Sequence, residues 1–164
     1  MTFTPRTWVT GEVVSEAMMN TEVRDQFNSM FAAWSSYTPT WTANIDPPAI
    51  GNGTLAGRYM KIGRTCHVVI KLSPGSTTTF GNGGFLFSLP VPAALAGVEY
   101  VGTAWYTGAS GWVGAAVTNT AGTLFNPIFP SASANTVLPQ TRTNPEAIAS
   151  GHNLRMSLTY QTAS

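Results

Sequence analysis

Residues 54–73, TLAGRYMKIGRTCHVVIKLS, decide the fold. In the second half, Cys66, Val68, Ile70 and Leu72 share one face of an extended chain and His67, Val69 and Lys71 share the other, because successive strand side chains point to opposite sides. The first face is expected to be core. Residues 54–61 and 65–73 therefore flank Ile62, Gly63 and Arg64 as a β-hairpin, with Gly63 supplying the dihedrals that other residues resist. Arg58, Lys61 and Arg64 gather around its solvated tip.

Outward from this hairpin the chain repeats short strand signals between turns. Downstream, residues 74–76 turn, 81–84 form a glycine-rich loop, and 85–89 is an apolar strand closed by Pro90 and Pro92. Further strands are expected at 99–106, 112–117, 124–129 and 154–160. Upstream, 44–53 is a loop, and 37–43 reads as an edge strand because Pro39 cannot donate a ladder hydrogen bond. About eight strands with no second helical pattern predict a mainly β domain over 37–164, an antiparallel β-sandwich of jelly-roll type. Residues 130–152, rich in Ser, Asn, Thr and Pro, fit such a domain only as a functional loop or as a segment lying along a partner.

The first 36 residues differ in kind. An extended arm carrying Phe3, Trp8 and Val9 is too apolar to float free and is expected to dock on a partner surface. One amphipathic α-helix follows over 15–34, with Ser15 as N-cap and Glu16 in the first turn, where the helix dipole favours an acid. Val23, Phe27, Met30 and Trp34 recur at spacings of four, three and four, the alternation of a coiled-coil seam, and Asn20 extends that register backwards. Met19 and Phe31 broaden the stripe. A self-associating bundle, docking on another protein and packing on the chain's own domain all satisfy it.

Composition narrows the class. Charged residues are 9% of 164 while hydrophobic residues are 43%, a sparse charge that suits a surface covered by other subunits. A net charge of +1 gives no electrostatic case for nucleic acid. The single cysteine, Cys66, excludes an intrachain disulfide. The start lacks the cationic and apolar regions of a signal peptide, and no apolar run approaches the ~20 residues of a membrane span.

Catalytic and metal signatures are missing from the pattern. Cys66 and His67 point to opposite faces, so they cannot act as nucleophile and base. Two histidines without spaced acidic companions give no zinc signature, and Asp46, Glu99 and Glu146 show no convergence of the kind a glycosidase needs. No cofactor is expected, and the protein reads as a non-enzyme. Tyr100, Trp105, Tyr106 and Trp112, around a predicted hairpin at 107–111, are the candidates for stacking on sugar rings, with core or interface packing as the alternative.

The string TWVTGEVVSEAMMNTEVRDQFNSM, residues 7–30, resembles the start of small virion proteins of tailed bacteriophages, particularly those infecting actinobacteria. Trp8, Gly11, Glu12, Asn20, Arg24 and Asp25 carry the likeness, and GNGTLAGRY and GSTTTFG carry it onward, over residues 7–93 in all. The resemblance implies a minor tail, fibre or receptor-binding protein, or a capsid decoration protein, located in the virion and without catalytic residues. The arm with Phe3, Trp8 and Val9 would then be its virion attachment. On physical grounds, an arm and helix that attach and trimerise below an outward β domain would have as partners the chain itself in a homotrimer, other virion proteins and host cell-wall polysaccharide, with cleavage of that polysaccharide as the third alternative.

Overall fold

The computed structural model describes residues 6–94, 97–119, 122–131 and 136–163. Phe3 of the arm lies outside them. The chain is mainly β and antiparallel, preceded by an arm segment and one short helix.

The predicted hairpin forms as β3 (Thr54–Ile62) and β4 (Thr65–Ser73), with Gly63 at φ 57. Around it the sheet builds from β1 (Ser35–Tyr37), β2 (Trp41–Ala43), β5 (Phe85–Ser88), β6 (Val101–Thr107), β7 (Gly111–Thr118), β8 (Leu124–Pro130), β9 (Val137–Pro139) and β10 (Asn153–Gln161). They hydrogen-bond in the order β1-β3-β4-β10-β6-β7-β8-β5-β2, with β9 added beside β8. The layers of the expected sandwich are thus parts of one continuous sheet, curled into a half-barrel.

Its two ends are neighbours in sequence. The predicted edge strand over 37–43 is interrupted at Thr38, Pro39 and Thr40, so that β1 takes one end of the order and β2 the other. Thr40 exchanges backbone and side-chain bonds with Ser88, and the Tyr37 hydroxyl donates to the Ser88 carbonyl at 3.3 Å, drawing the ends together.

The core is the inner face of this curl. Cys66, Val68, Ile70 and Leu72 of β4 are buried as the alternation requires, with Leu154, Met156, Leu158 and Tyr160 from β10 beside them. Phe85, Phe87, Phe125 and Phe129 fill the far side, where Trp41 stacks parallel to Phe87 at 6.2 Å. The polar segment after β8 also packs inward: Gln140 and Ile148 are buried, Gln140 bonding through its backbone to Pro127 and Phe85. It lies along the chain's own sheet.

Burial has a pH consequence. Tyr106 and Tyr160 are held in the phenol form, their pKa values raised first by loss of solvent, with Glu146 adding to the effect at Tyr106 and Cys66 at Tyr160. Unfolded tyrosine titrates near pH ~10, so the unfolded chain releases these protons first. Stability from both groups is complete below that pH and should fall above it by up to about 1.4 kcal/mol per pH unit for each tyrosine. Urea midpoints at pH ~9 and pH ~11 test this; equal midpoints would contradict it.

The N-terminal helix is shorter and less regular than its periodicity predicts. It runs as α1 (Glu16–Met19), a π-helical turn over Asn20–Arg24, and α2 (Asp25–Met30). Ser15 caps it as expected, its Oγ accepting from the Met18 N–H at 3.3 Å. Trp34 is a correction: it lies beyond the helix, its ring edge-on to His67 at 5.3 Å, because the chain must extend into β1 at Ser35. The π-turn shifts the phase, so Asn20 and Trp34 do not bound a continuous heptad seam.

The arm is also not extended throughout. A turn at residues 9–12 lets Arg6 pair with Glu12 and, at 2.9 Å, with Glu22 of the helix. Arg6 sits over the Trp8 ring, while Val9 stays exposed. Among the described residues no helix is long and apolar enough to cross a membrane.

Candidate functional site

The four aromatics offered for sugar stacking separate into different environments. Register places Tyr106 opposite Trp112 and Trp105 opposite Val113. Tyr106 is wholly buried, so it cannot touch an exterior ligand, a correction that follows from strand alternation once the core claims one of two adjacent residues. Trp112 shares that inner side and packs partly against the core. Tyr100 is half-buried beside Tyr160, at 6.2 Å, and lines a separate cavity of about 540 Å³ with Val98, Glu99 and Thr118.

Trp105 alone lies outside, 45% exposed, on the outer face of the sheet. There a cavity of about 540 Å³ is lined by residues of five adjacent strands. Ala56, Lys71, Arg155, Trp105 and Val113 form one cross-strand row, and Arg58, Val69, Ser157 and Thr103 lie in the next. Trp34 over His67 stands beyond the second row, and Arg58 donates to its carbonyl at 3.3 Å.

The Trp105 ring is tethered at its nitrogen. Its Nε1–H donates to Thr107 Oγ1 at 2.7 Å, and Arg155 Nη1 donates to the same oxygen at 3.4 Å. One hydroxyl therefore holds an aromatic platform and a guanidinium side by side. Lys71 faces Arg155 directly across β4 and β10. Among the described residues, Arg58, Lys71 and Arg155 form no ion pair, and β3, β4, β10, β6 and β7 contain no Asp or Glu.

A second cluster, for which the sequence pattern holds no signal, closes the end of the β6–β7 hairpin. The Tyr106 hydroxyl donates to His152 Nδ1 at 2.5 Å, and Glu146 accepts from the Ser110 N–H at 3.2 Å and from Trp112 Nε1 at 3.4 Å. Both Glu146 and His152 crowd Gly108, where an added Cβ would meet His152 Nδ1 at 2.7 Å. The acceptors are occupied by structural donors and the phenol is held protonated, so the cluster works as a clamp fastening residues 146–152 to the hairpin. Only the tertiary return of that loop unites these residues; no spacing along the chain announces it.

His67 bonds Thr159 at 2.7 Å on the outer face while Cys66 is buried on the inner, so the two diverge as expected. Asp46 is engaged with Asn82 at 2.6 Å, far along the chain from Glu146 and its partners. No protein-family model, curated protein or solved structure matches this chain.

Proposed function

We propose that the chain is a non-enzymatic structural protein of a bacteriophage virion, a homotrimeric minor tail or tail-fibre subunit that presents its β domain to host surface glycans. One observation carries the reading: a capped helix leaves Val23, Phe27 and Met30 exposed, although its own sheet lies alongside at β3. A stripe of that kind is stable in water when copies or a neighbouring protein cover it. The sparse surface charge and the phage-like string over residues 7–30 support the same conclusion.

Trimerisation suits the arrangement because three helices can share one axis while three β domains face outward. Several copies then raise a weak glycan affinity through effective concentration. Capsid decoration by an arm lying along the shell is the competing reading. The turn at 9–12 and the Arg6 bonds to Glu12 and Glu22 fold the described arm back toward the helix, which favours the fibre.

Immunogold labelling of intact particles tests the proposal. Gold is expected at the tail. Gold on the head would replace the fibre reading with decoration, and particles free of label would remove the virion assignment.

A further inference from the structure

The outer face of β3, β4, β10, β6 and β7 combines features that the fold does not need. Lys71 and Arg155 stand directly opposite each other on paired strands. Like charges at that position destabilise a sheet. No carboxylate occurs on any of the five strands to relieve them, and Arg58 adds a third cation in the neighbouring row. An anion seated between these groups would turn the repulsion into attraction.

Beside the cations is an aromatic platform tethered by a hydrogen bond. Thr107 Oγ1 accepts from both Trp105 Nε1 and Arg155 Nη1, and Arg155 is Trp105's direct cross-strand partner. Such partners have Cβ atoms ~5 Å apart, so a ring stacked on Trp105 brings its own substituents within reach of the guanidinium. A ligand therefore costs the protein little rotamer entropy on binding. Val113, on the other side of Trp105, extends the apolar floor.

We infer that this face binds an acidic polysaccharide whose charge is a uronate carboxylate carried on the sugar ring. The ring stacks on Trp105, and the carboxylate is taken by the Arg155 fork with Lys71 beside it. A charge borne on the ring itself suits this spacing. A phosphodiester between polyol units would offer charge without a ring to stack. The inference rests on the reading that the β domain contacts surface carbohydrate, and it names the chemical class of that carbohydrate.

The test is titration calorimetry of the full chain with oligogalacturonate, with the same oligomer reduced at its carboxyl groups, and with poly(glycerol phosphate). Oligogalacturonate should bind, lose affinity at least about tenfold in Trp105→Ala and in Arg155→Gln, and weaken as salt is raised. Arg64→Gln, at the hairpin tip, should leave affinity unchanged. Melting temperatures of the variants establish that they are folded.

Absence of oligogalacturonate binding, equal binding of the reduced oligomer, or tighter binding of the phosphate polymer would overturn the inference. A change of solution mass in Lys71→Gln would also overturn it, because the face would then be occupied by a second copy of the chain. Labelling of host cells by the purified protein separates the two levels. Labelled cells without uronate binding would refute the uronate and leave the carbohydrate reading standing, unlabelled cells with uronate binding would remove the host-surface reading and leave the uronate site standing, and unlabelled cells without uronate binding would remove both.

Discussion

Phe129→Ala is expected to destabilise the domain by about 3–5 kcal/mol, a large share of the ~5–15 kcal/mol that holds a typical domain folded. Phe129 is fully buried in β8, with its ring 6.2 Å from that of Tyr106 on β6. It also lies over β7, where a Cβ placed on Gly114 would meet Phe129 Cδ1 at 2.6 Å. The glycine leaves the room that the phenyl ring fills. Truncation would open a cavity between strands held by their ladders, and a site that cannot collapse has the larger cost.

The reverse substitution, Gly114→Val, meets the Ile128 carbonyl oxygen and the same ring, so overpacking should also destabilise, by roughly 1–3 kcal/mol. Val113→Ala is the internal control: its side chain stands on the outer face, where changes are usually within about 0.5 kcal/mol. Urea denaturation of the three variants checks the order. A Phe129→Ala cost below about 1 kcal/mol would mean that the inner face is not packed as described.

Much of this architecture was legible because burial in a sheet leaves a period of two. Cys66, Val68, Ile70 and Leu72 announced the inner face of β4, and Gly63 announced the turn before it. Pro39 marked an edge, and the chain uses both sides of it, as β1 and β2 at opposite ends of the strand order. Less was legible where burial is not periodic. Gln140 and Ile148 enter the core singly from a polar segment, Gln140 through backbone bonds to Phe85 and Pro127 and Ile148 through one to Arg142, so composition suggested a functional loop or a segment lying along a partner.

The candidate site was half legible for a related reason. Alternation required Trp105 and Tyr106 to part, but nothing local decided which would go inside. That choice is set by the register of β6 on β10, which places Trp105 with Arg155 and Tyr106 with Leu154. The cationic row across Lys71 and Arg155 joins residues 84 positions apart in the chain. The helix failed differently, since a side-chain period cannot reveal a π-turn whose origin lies in the backbone.

Phe27→Glu is expected to reduce the solution mass about threefold, from a trimer to a single chain of 17.4 kDa, at micromolar concentration. Phe27 is 58% exposed and Met30 46% exposed, at adjacent turns of α2 where the α-helical path has resumed after the π-turn. Val23 lies in the π-turn itself and is only 37% exposed. In the proposed trimer the associating surface is therefore centred on α2, and a charge at Phe27 would have to be buried without a partner in every interface. Because the side chain is exposed in the lone chain, the same variant should leave the urea midpoint of the β domain unchanged. Sedimentation measures the first property and denaturation the second. Loss of mass with the β domain intact would assign the stripe to self-association, whereas a wild-type protein that already sediments as a monomer would refute the bundle and leave the stripe to a different protein partner.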